Sequence, residues 1–232
     1  MQDTAKFQSF TKDKLGLEFN DINLLVTAFT HRSYVNEHRK TAKEHNERLE
    51  FLGDAVLELV VTEFLYSNHE DPEGILTNWR SALVRTESIG AAAAANEFEP
   101  LLRLSRGEKR GTDRARAQIL ANCYEAVIGA IYLDQGYDAA SAFIEKTLLI
   151  TFEEILKSGS WMDPKSHLQE KAQSKEGFTP VYKVLEEDGP DHDKTFVVGV
   201  FVGENQRGKG SGPSKQAAQQ QAAQDALKFY KS

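Results

Sequence analysis

Residues 46 to 66 read NERLEFLGDAVLELVVTEFLY. At about 100° per residue, Glu47, Glu50, Asp54 and Glu58 fall on one narrow stripe of a helix, while Leu, Val, Phe and Ala cover most of the remaining circumference. That composition predicts a helix surrounded by protein. Taken alone, such an acidic series is an ordinary solvated face. A helix apolar around most of its girth leaves little room for water, so packed carboxylates there must be neutralised or share a cation. Residues 117 to 134, AQILANCYEAVIGAIYLD, repeat the design, with Gln118, Asn122, Glu125 and Gly129 on one stripe. Gly129 permits a close helix approach there.

Around these two segments, apolar residues from Asp21 to about Leu156 recur at helical spacing with little alternation, which predicts an all-α region. Lys157-Ser158-Gly159-Ser160 is short, polar and glycine-containing, and Asp163-Pro164 follows as a helix start. The expected organisation is a helical domain over 1–156, a linker over 157–163 and a small α+β domain over 164–232. In the last, a helix near 164 to 174 precedes β-rich runs over 180–186 and 195–202, separated by a Gly-Pro-Asp turn. A weaker strand follows near 206–211, and an Ala/Gln-rich helix from Ser214 to Tyr230 closes the order α-β-β-β-α.

The chain of 232 residues has room for two such cores. Its lone cysteine, Cys123, excludes an intramolecular disulfide framework and fits a reducing cytoplasm. No apolar run approaches a membrane span, and the N-terminus lacks the pattern of a secretory signal. The net charge of −7 argues at first against a nucleic-acid partner. Residues 161–232 nevertheless hold ten basic and ten acidic residues, so the whole acidic excess lies upstream. His31, His45 and His69 are general-base candidates in the helical region, although a single His is more often a surface or capping residue. Oxygen-only ligands such as the clustered carboxylates suit Mg²⁺, with Mn²⁺ a substitute.

The run Asn46-Glu47-Arg48-Leu49-Glu50-Phe51-Leu52-Gly53-Asp54 closely resembles the nine-residue motif of ribonuclease III enzymes. Residues 25–36 (LVTAFTHRSYVN) and 119–136 (ILANCYEAVIGAIYLDQG) are similar to that family's N-terminal region and second acidic motif, and residues 164–231 resemble a double-stranded-RNA-binding domain. The resemblance implies a metal-dependent endonuclease acting as a homodimer on double-stranded RNA, leaving 5′-phosphate and 3′-hydroxyl ends with short 3′ overhangs. Ribosomal, messenger or small-RNA precursors are its implied substrates, and no cofactor beyond the metal is implied. Asp54 and Glu125 take catalytic positions by this resemblance. Glu50, Asn122 and Glu125 are implied metal ligands, Glu47, Asp54 and Glu73 supporting acidic residues, and Phe51 an aromatic that interlocks the subunits. Asn122 stands where the family usually has Asp, which removes a charge from the ligand set. The alternative is therefore a double-stranded-RNA-binding protein whose chemistry is impaired.

Three patches resemble the family's duplex contacts: Ser166, Gln169, Glu170 and Gln173 on the opening helix; His192 in the 189–193 loop; and a glycine-rich stretch over 208–215 carrying Lys209, Ser214 and Lys215. Polar helix faces, loop histidines and helix N-termini of this kind fit recognition of A-form shape through 2′-hydroxyls and phosphates.

Overall fold

The computed structural model describes residues 4–190 and 194–230; His192 and the Asp191 of the expected turn lie outside the described residues. The chain divides into two compact units between Ile155 and Leu156.

The first unit is helical: α1 (Thr4–Phe10), α2 (Ile22–Ala28), α3 (Arg32–Glu37), α4 (Glu47–Asn68), α5 (Glu73–Val84), α6 (Thr86–Ala95), α7 (Asp113–Gln135), α8 (Tyr137–Thr147) and α9 (Phe152–Ser158), across whose length the division falls. Lys157 and Ser158, expected in a linker, thus close α9. The central pair is α4 with α7. On α4 the buried residues Leu49, Gly53, Val56, Leu57, Val60, Val61 and Leu65 recur at three- and four-residue intervals. On α7 nearly every residue from Ile119 to Ile131 is buried except Asn122 and Glu125. Phe29 joins Phe10 and Phe98 in an aromatic cluster with centroids 5.8 and 5.0 Å away. Beside it the buried Tyr124 hydroxyl meets Thr147 Oγ1 at 2.7 Å, which satisfies a group that would otherwise be costly to bury.

One expectation is corrected here. The helix over 46–66 is not enclosed within its own chain: Phe51 is 83% exposed, Tyr66 80% and Leu59 56%. The apolar girth of α4 reflects one buried face and a second that its own chain leaves bare.

The second unit holds α10 (Pro164–Glu176), β1 (Val181–Asp188), β2 (Thr195–Val202), β3 (Asn205–Gly212) and α11 (Lys215–Leu227), the three strands forming an antiparallel sheet in the order β1-β2-β3. Asp163 caps α10, accepting from Lys165 N at 3.0 Å and Ser166 N at 3.2 Å, and Ser214 caps α11 through Ala217 N at 3.1 Å. Val198, Val200 and Val202 alternate into a core closed by Leu168, Ala172, Ala218, Ala222, Ala223 and Ala226.

The weak strand expected near 206–211 is present as β3, and it extends through the glycine-rich stretch to Gly212. Its glycines alternate with Lys209 and Ser211 and face α11. A β-carbon on Gly210 would stand 2.2 Å from Ala222 N, and one on Gly208 2.4 Å from Ala222 O. Glycine on the strand and alanine on the helix let the two backbones touch. The Lys209 and Ser211 N–H groups donate to Asp225 Oδ2 (3.1 Å) and Gln221 Oε1 (2.7 Å) of α11. These bonds shield part of an exposed strand edge.

Candidate active site

The acidic stripe of α4 separates into paired ends and an unpaired middle. At its start, Glu47 Oε1 lies 3.3 Å from Arg32 Nη1 of α3, and Glu47 Oε2 lies 3.8 Å from His45 Nδ1. At its far end, Glu58 Oε2 lies 3.2 Å from Arg80 Nε of α5, whose Nη1 also donates to Thr62 Oγ1 at 3.0 Å. Neither arginine is recognisable as a partner in the sequence, because each sits on another helix, 15 and 22 positions away.

Between these ends, Glu50 and Asp54 have no cationic partner among the described residues, and Glu125 of α7 joins them. Burial, reinforced by the Asp54 and Glu50 carboxylates, pushes Glu125 up to about 8. Burial and the Glu47 charge also raise Glu50; a hydrogen bond from the Asn122 side chain works against them, and Asp54 adds to the rise. Carboxylates pushed up by burial and by one another are what an unneutralised, cation-seeking cluster produces.

Asn122 is turned partly away from the ligand role expected of it: its Oδ1 accepts from Gln118 Nε2 at 2.7 Å. Glu73 opens α5 as an exposed first-turn residue and takes no part in the electrostatics of Glu50 or Glu125. Among the described residues, no three His, Cys, Asp or Glu side chains converge as a closed metal cage does. Mg²⁺ does not require one: it retains several waters and is commonly held by one or two carboxylates together with substrate phosphate. The donor set of Glu50, Asp54 and Glu125, all oxygen and short of positive charge, fits such an ion. Two of the candidate histidines stand elsewhere. His31 caps α3, accepting from Ser33 N at 3.3 Å, and His69 packs against Trp79 and Phe152 with centroids 5.1 and 5.2 Å away.

On the second unit, Ser166, Gln169, Glu170 and Gln173 line the exposed side of α10, opposite buried Leu168 and Ala172. Lys215 Nζ lies 3.0 Å from Glu187 Oε1 and Lys209 Nζ 3.7 Å from Glu186 Oε1, both acids on β1. Exposed pairs of this kind are weak and yield readily to a competing phosphate. Ser214 spends its hydroxyl on the α11 cap.

A helical unit with a partly buried acidic cluster, followed by an α-β-β-β-α module with a polar helix face, defines a nuclease joined to a duplex-RNA-binding domain. The family described as Ribonuclease-III-like matches residues 21–152, and the double-stranded RNA binding motif matches residues 164–230. Ribonuclease 3 of Enterococcus faecalis is 44% identical over 218 residues, spanning 94% of each chain. Ribonuclease 3 of Geobacillus kaustophilus is 47% identical over 224 residues, 96% of this chain and 90% of its own. The nuclease domain of ribonuclease III from Campylobacter jejuni, whose structure is described for flexibility in a region involved in dimer formation, superposes with a TM-score of 0.53. It is 38% identical and covers 60% of this chain and 96% of its own. The chain belongs to the ribonuclease III family. As a member it is an endonuclease of double-stranded RNA, from a family whose nucleases depend on a metal.

Proposed function

We propose that this chain hydrolyses double-stranded RNA with Mg²⁺, for which Mn²⁺ substitutes, leaving 5′-phosphate and 3′-hydroxyl ends. It works in the cytoplasm on ribosomal, messenger or small-RNA precursors. The observation that carries the reading is the unpaired trio Glu50, Asp54 and Glu125, in which Glu125 is pushed up to about 8. Asp54 and Glu125 are the catalytic carboxylates and Glu50 a further metal ligand. Asn122 stands beside them as an amide, and Glu47, tied to Arg32, sets the edge of the cluster. Held by Glu50, Asp54 and Glu125, the ion would lower the pKa of an attacking water and offset charge on the phosphate oxygens. Burial and the neighbouring carboxylates favour the protonated form of Glu125, and a cation held there would favour the ionised one. Lys209 and Lys215, with the polar face of α10, hold the duplex through phosphates and 2′-hydroxyls.

The protein acts as a homodimer. Phe51, 83% exposed, lines a concavity of about 830 Å³ with Leu24, Leu49, Leu52 and Leu133, and Lys43, Glu44 and Arg48 also line it. Burying a Phe stabilises by about 1.5–3 kcal/mol, and a second copy offers each Phe51 an apolar seat. The decisive experiment incubates the protein with a long RNA duplex, with Mg²⁺ and with chelator, and maps the product ends. Cleavage in chelator, or none at saturating metal, overturns the reading.

A further inference from the structure

The helices α4 and α7 cross backbone against backbone at the carboxylates. A β-carbon on Gly53 would stand 1.8 Å from Glu125 O and 2.6 Å from Glu125 C. One on Gly129 would stand 2.3 Å from Leu49 O and 3.2 Å from Gly53 N. Each glycine therefore abuts the opposite helix at a residue that carries a cluster carboxylate or immediately precedes one: Glu125 in the first case, Leu49 before Glu50 in the second. The obstructing atoms are main-chain carbonyls inside helices, which cannot rotate aside as a side chain can. A methyl group at either position must push the helices apart. Two glycines within long helices also lower helix propensity, so helix formation does not account for them.

We propose that Gly53 and Gly129 are positioning residues for the divalent ion. They fix the separation of α4 and α7, and with it the gap between Glu50 and Asp54 on one side and Glu125 on the other, at a width that suits Mg²⁺ over a larger cation. The proposal rests on the metal reading above. Mg²⁺ demands near-octahedral ligands at about 2.0–2.1 Å, whereas Ca²⁺ accepts irregular ones at about 2.3–2.6 Å. Those ligand distances differ by only a few tenths of an ångström, less than the helix displacement that a methyl group at the crossing forces. Gly90 provides the comparison. It too lies at a tight crossing, its β-carbon 3.0 Å from Ala117 O of α7, but it touches no residue of the cluster.

The test titrates Mg²⁺ and Ca²⁺ separately into the full chain without RNA, by calorimetry. Gly129→Ala loses Mg²⁺ affinity by about tenfold, the size of effect that outer-sphere support of a metal carries, while Ca²⁺ affinity changes far less. Gly90→Ala lowers the melting temperature yet keeps the parental Mg²⁺:Ca²⁺ ratio. Should Gly129→Ala fail to fold by circular dichroism, Glu125→Asp takes its place: it retracts one carboxylate by a methylene, leaves the crossing intact, and shifts the ratio in the same direction. A parental ratio in whichever variant is measured overturns the proposal. Glu125→Gln separates the two levels of the argument. Undiminished Mg²⁺ binding by that variant removes the metal reading itself, whereas its loss beside an unchanged ratio in Gly129→Ala removes only the role of the glycines.

Discussion

Glu58 Oε2 lies 3.2 Å from Arg80 Nε, while Asp54, one turn back on the same helix, has no cationic partner among the described residues. The same stripe therefore carries a neutralised carboxylate and one that is not, and the two respond differently to removal of charge. Glu58→Gln costs about 0–1 kcal/mol of stability, as for other exposed pairs, and leaves the metal concentration for half-maximal cleavage within about twofold of the parent. Asp54→Asn moves that concentration upward strongly. Cleavage measured across a metal titration checks both, and equal responses from the two variants would show that the pairing has no functional meaning.

Glu125→Gln abolishes cleavage and leaves duplex binding nearly intact, because it removes a ligand acting at the transition state while the second unit's polar face is untouched. Binding is read by gel shift and cutting on the same duplex. A variant that cuts at the parental rate ends the site assignment.

The raised pKa of Glu125 gives stability a definite pH dependence. Its folded value, about 8, exceeds the ordinary 4.5 of an unfolded chain. Between those values the folded protein binds a proton that the unfolded chain has released, so this group's contribution to stability declines as pH rises through the window. A cation needs the carboxylate ionised, so Mg²⁺ binding releases protons and strengthens toward about pH 8. Melting in chelator should fall from about pH 5 to about pH 8, and the Mg²⁺-induced rise in melting temperature should be larger at the upper end. A flat profile with an equal Mg²⁺ effect throughout contradicts the burial of an ionisable cluster.

The stripes on α4 and α7 were legible because helical periodicity is local: Glu47, Glu50, Asp54 and Glu58 fall into line without knowledge of any neighbour. The order α-β-β-β-α was equally legible, since Val198, Val200 and Val202 alternate and Asp163 and Ser214 are cap residues. Long-range pairing was not. Arg32 and Arg80 reach α4 from α3 and α5, so nothing in residues 46–66 distinguishes Glu47 and Glu58 from the unpaired Asp54. The third strand was only weakly legible because glycine is rare in strands, and the alanine face of α11 explains Gly208 and Gly210. The openness of Phe51, Leu59 and Tyr66 was hidden for a related reason: a residue's hydrophobicity does not say which chain covers it.

In the second unit, Gly210→Val should destabilise the domain by several kcal/mol, since the added carbons meet main-chain atoms of α11 at 2.2 and 2.6 Å. Removing residues 161–232 should weaken duplex binding strongly yet leave some cutting at low salt, where phosphate contacts of the helical unit count for more. Filter binding across a salt series measures both effects. Undiminished affinity in the truncated chain would mean that the duplex is held elsewhere.

Asn122 decides between an active enzyme and a silent binder. Its Oδ1 accepts from Gln118 Nε2 at 2.7 Å, and its side chain hydrogen-bonds Glu50, holding that carboxyl down against the rise caused by burial. In Asn122→Asp, Gln118 can still donate, but Glu50 loses an amide donor and gains a like charge. Melting in chelator at neutral pH should therefore fall. With metal the balance reverses. A charge pair at about 4 Å in an effective dielectric near 20 attracts by roughly 4 kcal/mol, an upper guide from which desolvation and repulsion among carboxylates are subtracted. If about 1.4 kcal/mol survives, Mg²⁺ binds about tenfold tighter and the metal needed for half-maximal cleavage falls by the same factor. The parent is then an enzyme with a high metal requirement, and its Mg²⁺-induced gain in melting temperature is smaller than that of Asn122→Asp. A silent duplex binder behaves otherwise: the parent cuts at no Mg²⁺ or Mn²⁺ concentration, and only Asn122→Asp does. Titrating both proteins with metal on one RNA duplex separates the cases, because parental cleavage at saturating metal is incompatible with the silent reading and its absence in a folded, RNA-binding preparation is incompatible with ours.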